Sequence, residues 1–159
     1  MANAEKTDLR DPSLYGHWAR ETLRYCDTDQ QGHINNIAFA VFCETGRVQF
    51  LLQPGQPLTP DGTFIVIARL VLDFLGEISW PGEVRIGTAV TAIGRSSFHL
   101  GQGVFIEDRC VAAAESVLVL ADQATRRSTP LPADLRCRLE AGMISVRGAA
   151  PSAIAAPPC

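Results

Sequence analysis

Arg24-Tyr25-Cys26-Asp27-Thr28-Asp29-Gln30-Gln31-Gly32-His33-Ile34-Asn35-Asn36 runs straight into the apolar segment 37–52, and this junction decides the fold. The polar side chains Asp27, Asp29, His33, Asn35 and Asn36 crowd a turn, with Gly32 free to take a backbone conformation other residues resist. Asn35 or Asn36 is a suitable N-cap for a helix that Pro54-Gly55 stop near Gln53. The first half of that helix, 37–43, is apolar on every side, which predicts burial, most simply inside a wrapped sheet. A turn opening such a helix gathers polar side chains and unpaired backbone N–H groups at one place. That arrangement can hold a carbonyl and attack it.

Working outward, residues 18–26 read as a strand, with Thr22, Arg24 and Cys26 on one face and Leu23 and Tyr25 on the other. Four strand-like segments follow the helix, at 64–75, 83–93, 97–106 and 110–121. The connections 76–82, 94–96 and 107–109 are short enough for antiparallel neighbours, the first also long enough for a wider bend. Residues 132–141 read as a short surface helix with Pro132 near its start and Gly142 as its stop. The order predicts an α+β domain, one antiparallel sheet around a long central helix, spanning 16–142. Residues 1–15 are expected as a loose arm, and 143–159 as a disordered Ala/Pro-rich tail. A sheet with one helix leaves a face or an edge to cover, so a homodimer or homotetramer is expected.

With 159 residues, 47% of them hydrophobic and 19% charged, the chain has enough apolar material for one substantial core. A net charge of −3 argues against a general nucleic-acid binder. The N-terminal residues show no signal-peptide pattern, and charged residues interrupt every long apolar run, so a cytoplasmic protein without a membrane span is expected. The cysteines have no C-x-x-C spacing, which fits reduced thiols better than disulfides or zinc. There is no Gly-x-Ser-x-Gly elbow, phosphate loop or dinucleotide fingerprint, so no metal and no cofactor is expected.

The segment 25–36, with Glu44-x-x-Arg47 after it, resembles the signature of hotdog-fold acyl-CoA thioesterases of the 4-hydroxybenzoyl-CoA thioesterase type. Leu72-Asp73-Phe74-Leu75, Pro81-Gly82-Glu83, 93–98, 114–119 and Thr129-Pro130-Leu131-Pro132 are similar to the later parts of that family, and the likeness covers roughly 18–140. The resemblance implies a hotdog fold and hydrolysis of an acyl-CoA to a carboxylic acid and free CoA. By it, Asp29 holds the place of the catalytic carboxylate, as nucleophile or general base. The backbone N–H near Asn36 would polarise the carbonyl oxygen. Relatives of this type often carry His where Asn36 stands, whereas His33 lies three residues earlier. The His-x-Asn-Asn wording instead resembles plant-type acyl-ACP thioesterases, so acyl-ACP is a second possible carrier.

Simpler readings compete at each position. An aspartate such as Asp29 in a Gly-containing turn is most often a turn residue, and the full motif reverses that preference. His33 divides evenly between bonding the turn and contacting the thioester. Glu44 is expected as a buried partner of Arg47, with a water-positioning role second, and the Tyr25 hydroxyl as a support for Asp29. Phe39, Phe42 and Phe74 are expected to line an acyl pocket between the helix and a partner subunit. Arg95 with Ser96, Arg126 and Arg127 are candidates for the phosphates of CoA at a subunit interface. Two rival functions are a non-hydrolytic acyl-CoA- or acyl-ACP-binding hotdog protein and a hotdog hydratase or dehydratase.

Overall fold

The computed structural model describes residues 7–144. Its central helix α1, Asn36–Leu51, begins where Asn35 turns extended and its side chain accepts from the Ile37 amide at 3.0 Å. Of the two candidate caps, Asn35 is the one used. The strands are β1 His17–Thr22, β2 Thr63–Phe74, β3 Glu83–Ile93, β4 Ser97–Ile106 and β5 Arg109–Asp122, and α2 is Ala133–Ala141.

All strand pairings are antiparallel, in the order β1-β3-β4-β5-β2. With α1 packed on the sheet this is the hotdog fold. Two short connections are hairpins, as expected. The third is not: residues 75–82 carry the chain from β2 at one edge, beside β5, to β3 between β1 and β4. β1 is also shorter than expected. After Thr22 the Leu23 amide donates to Gly82 O at 2.9 Å, and Tyr25–Asp27 turn into a single 3-10 turn.

Phe39, Phe42 and Cys43 of α1 pack on Val84, Ile86, Val104 and Ala112 of the sheet. Toward the far end, Phe98, Leu100, Leu118 and Leu120 are closed over by Leu135 and Leu139 of α2. Among these apolar residues runs one polar thread. Gln102, fully buried, donates to Cys43 O at 2.9 Å and Thr88 Oγ1 at 3.0 Å, and accepts from Arg47 Nη1 at 3.3 Å. It satisfies buried polar groups that would otherwise cost stability.

The helix is not buried all round. Ile37, Val41 and Val48 are exposed along one stripe, and Ile37 and Val41 share a groove with the exposed Ile67 and Leu70 of the edge strand β2. An all-apolar sequence has no polar contrast to reveal which face lacks a neighbour.

Residues 7–15, expected as a loose arm, lie against the outer face of the sheet. Leu9 and Tyr15 are buried there, and the Tyr15 hydroxyl donates to Leu9 O at 2.6 Å. The sheet receives them through missing side chains: a Cβ on Gly87 would lie 2.3 Å from Tyr15 Cγ, and one on Gly101 2.5 Å from Leu9 Cδ2. Tyr15 meets Phe105 and Trp18 edge-on, closing a small outer cluster. Gly87→Ala is expected to lower stability by roughly 1–3 kcal/mol, since Tyr15 has to leave its place; urea unfolding of the variant beside the wild type checks it. Residues 1–6 and 145–159, including most of the expected tail, lie outside the described residues. Among the described residues no helix is long and apolar enough to cross a membrane. Cys26, Cys43 and Cys110 carry free thiols, whereas Cys137 is disulfide-bonded, against the expectation of reduced thiols throughout.

Candidate active site

The turn before α1 is built by its own backbone and by Asp29. The Asp29 amide donates to His33 O at 2.8 Å, and Gly32 N, in a residue at φ +82°, donates to Asp29 O at 3.1 Å. Asp29 Oδ1 accepts from the amides of Gln31 at 2.8 Å and His33 at 3.1 Å. The turn-residue reading is therefore fulfilled by one oxygen. Oδ2 has no protein partner among the described residues, and the same carboxylate can brace the turn and face a ligand.

Asp27 braces the turn. Its carboxylate takes a two-pronged contact from Arg24 at 2.7 and 2.8 Å, which holds its pKa below the ordinary carboxylate value. Its carbonyl accepts from the Asn35 amide at 2.8 Å, tying the turn to the helix cap. Ile34 N donates to Ile78 O at 2.8 Å, and His33 and Ser79 form an antiparallel bridge. The 75–82 crossing is thus stitched to the turn.

Asp29, His33 and Asn36 open on one cleft of about 370 Å³, lined also by Gln31, Ile34, Phe39, Phe74, Gly76 and Glu77. Phe39 and Phe74 meet edge-to-face at 5.5 Å and form its apolar wall. At the helix start the Ile37 amide is taken by Asn35 Oδ1 and the Ala38 amide by Asn35 O. The Asn36 amide has no protein acceptor among the described residues. It is left free at the positive end of the helix dipole, where a developing oxyanion gains most.

Several expected site residues lie elsewhere. Tyr25 is 72% exposed and stacks edge-on against Trp80 at 5.5 Å; no hydrogen bond joins it to Asp29, which accepts from the Gln31 and His33 amides. Phe42 belongs to the core beneath the cleft. Glu44 is exposed rather than buried and does not pair with Arg47, whose partner is Gln102. Helical spacing puts both in reach of each other, but Arg47, a residue only 8% exposed, donates to the buried Gln102 amide instead. Both line a second groove, of about 390 Å³, between α1 and residues 67–70 of β2.

Arg95, Ser96 and Arg126 are at the opposite end of the sheet from the cleft in the same chain. Ser96 O accepts from Leu120 and Arg126 covers the Phe64 ring at 4.4 Å, whereas Phe74 pairs with Ala112. The eight-residue span from Ala112 to Leu120 is about 26 Å of strand. One lining residue has no counterpart in the sequence reading: Glu77, whose Oε2 is 3.5 Å from His33 Nε2. No local pattern marks it, because the crossing that delivers it is a tertiary event.

The sequence matches the model of the thioesterase-like superfamily over residues 23–139, the whole span from the end of β1 through most of α2. The chain belongs to that superfamily. The PA5185 protein from Pseudomonas aeruginosa strain PAO1 shares the fold at a TM-score of 0.75 with 25% identity, covering 85% of this chain and 96% of that one. A thioesterase from Thermus thermophilus, complexed with coenzyme A and Zn, is 28% identical, at a TM-score of 0.69 over 79% of this chain and 98% of that one. Among curated proteins, YsmA of Bacillus subtilis (strain 168) is 26% identical over 86 residues, 54% of this chain. The match spans 58% of that relative, less than two thirds of its length. Asp29 and Asn36 both line the cleft of this thioesterase-like protein.

Proposed function

We propose that this protein is an acyl-CoA thioesterase of the 4-hydroxybenzoyl-CoA thioesterase type, hydrolysing a thioester to a carboxylic acid and free thiol. The observation that carries the reading is one cleft lined by Asp29, whose Oδ2 has no protein partner among the described residues, and by Asn36, whose amide has no protein acceptor among them. Thioester hydrolysis needs a nucleophile or base on one side of the carbonyl carbon and a hydrogen-bond donor at its oxygen. Asp29 Oδ2 attacks the carbonyl, or takes a proton from the water that does, while the Asn36 N–H stabilises the tetrahedral oxyanion. Phe39 and Phe74 contact the acyl group. Tyr25 and Glu44 are outside the cleft and take no part within one chain.

Coenzyme A as the carrier draws support from the Thermus relative, in whose structure it is bound. The working form is a homodimer. The stripe Ile37, Val41 and Val48 with the unpaired edge of β2 is an apolar face that a second copy covers. If β2 pairs antiparallel with its copy about a two-fold axis, the Phe64–Arg126 end of one copy falls beside the Phe74 end of the other. Arg126 then reaches the cleft from the second copy, and the phosphates of CoA have a cation to meet.

The test is release of free thiol, read with a thiol reagent, from a panel of acyl-CoAs and an acyl-ACP. Turnover on one class of acyl group is expected, and that class names the substrate. Tight acyl-CoA binding with no thiol released from any ester sinks hydrolysis and leaves a binding protein.

A further inference from the structure

His33 and Glu77 belong to different segments, the turn before α1 and the crossing after β2, yet both open on the cleft beside Asp29 and Asn36. Their approach is built by backbone. The His33–Ser79 bridge and the Ile34 N to Ile78 O bond fasten the crossing to the turn on one side. On the other, Leu75 N and Gly76 N both donate to Val111 O, at 2.9 and 3.1 Å, and Arg109 Nη2 donates to Glu77 O at 3.4 Å. Glu77 is therefore held at both flanks although its side chain is 78% exposed. A carboxylate needed only for solubility has no reason to be anchored against an imidazole in a cleft.

The His33 side chain is 34% exposed. Its Nε2 lies 3.5 Å from Glu77 Oε2, within ion-pair distance when the imidazole is protonated. Its Nδ1 has no protein partner among the described residues. One ring nitrogen thus faces a carboxylate and the other is left for a ligand, the arrangement in which carboxylates orient catalytic histidines.

We propose that Glu77 is a positioning residue of this site: it orients His33 so that the imidazolium meets the sulfur of the departing thiolate. The inference rests on the thioesterase reading and adds a role on the leaving-group side of the carbonyl, opposite Asp29. As the tetrahedral intermediate collapses, the C–S bond breaks and its electron pair goes to sulfur. The proton on the free ring nitrogen passes to that sulfur, giving the thiol. His33 recovers a proton from the water consumed in hydrolysis, so thioester plus water yields acid plus thiol with no redox change. Asp29 and Glu77 are the charged groups that line the cleft with His33, and Arg109 of β5 bonds the Glu77 backbone.

A double-mutant cycle on thiol release tests it, with Glu77→Gln, His33→Gln and the pair. Glu77→Gln is expected to lower kcat by about 10-fold with KM little changed, and Glu77→Asp to recover part of the loss. In the His33→Gln background, Glu77→Gln is expected to cost nothing further, because the two act as one unit. Glu77 is exposed, so these variants keep the fold. Wild-type turnover with a Glu77→Gln loss that is the same in both backgrounds, or with no loss at all, overturns the proposal while leaving the thioesterase standing. No release by the wild type from any ester overturns both.

Discussion

Asp29→Asn is expected to lower kcat for thiol release by about 10²-fold or more while leaving the turn folded. The asparagine keeps an Oδ1 that accepts from the Gln31 and His33 amides, so the brace survives. What changes is the other branch. A carboxylate oxygen able to attack a carbonyl or take a proton becomes an amide nitrogen that can do neither. The substitution therefore separates chemistry from architecture, which Asp29→Ala would not, since alanine also strips two amides of their acceptor. Steady-state kinetics on the best ester of the panel, with circular dichroism as the fold control, measures the effect. Near wild-type kcat would remove Asp29 from the chemistry and leave it a turn residue.

The second large effect concerns a backbone atom. Asn36→Pro removes the one amide that the proposed oxyanion contact uses, and is expected to lower kcat by about 10²–10³-fold, as loss of one such donor does elsewhere. The position accepts proline unusually well. Asn36 is the first helical residue, where the N–H has no partner within the helix and proline's fixed φ suits the chain. The residue before it, Asn35, has φ −61° and ψ 143°, in the region that a following proline favours. The cap bond to the Ile37 amide is untouched. A thermal melt close to wild type beside a collapsed kcat is the expected pair of results. Asn36→Ala, which keeps the amide, should lose far less. If the proline variant turns over normally, the oxyanion site lies elsewhere.

The sequence disclosed what is local and withheld what depends on neighbours. α1, its Asn35 cap and its stop near Pro54 are written in contiguous residues, and so are four strands that end within a residue or two of the alternation that predicts them. Sheet order is different. An eight-residue connection at 75–82 serves a hairpin or a crossing equally, and the choice turns on whether β2 gains more beside β3 or beside β5. That single ambiguity decides which residues reach the cleft within one chain. With β2 beside β5, the Arg95 turn and Arg126 gather at the end of the sheet opposite the cleft, and Glu77 is delivered next to His33. That Asp29, His33, Asn36, Phe39 and Phe74 share one cleft was legible because four lie on one continuous stretch and Phe74 ends the strand beside it. Tyr25 and Glu44 were not, because whether a side chain on that stretch faces the cleft is set by the 3-10 turn at Tyr25–Asp27 and by the helix rotation that buries Arg47.

The segment laid across the outer face has a consequence for how copies of this chain can stack. Two sheets that pack face to face approach to about 10 Å, side chains of one filling the spaces of the other. Here the layer that a second sheet would enter over β3 and β4 is already filled by Leu9 and Tyr15, lying where Gly87 and Gly101 offer bare backbone. The trough is self-plugged. Back-to-back association over that part of the sheet would bring two plugs into contact instead of two pleated surfaces, so the identity of residues 7–15, rather than of the sheet, would govern which copies recognise one another there.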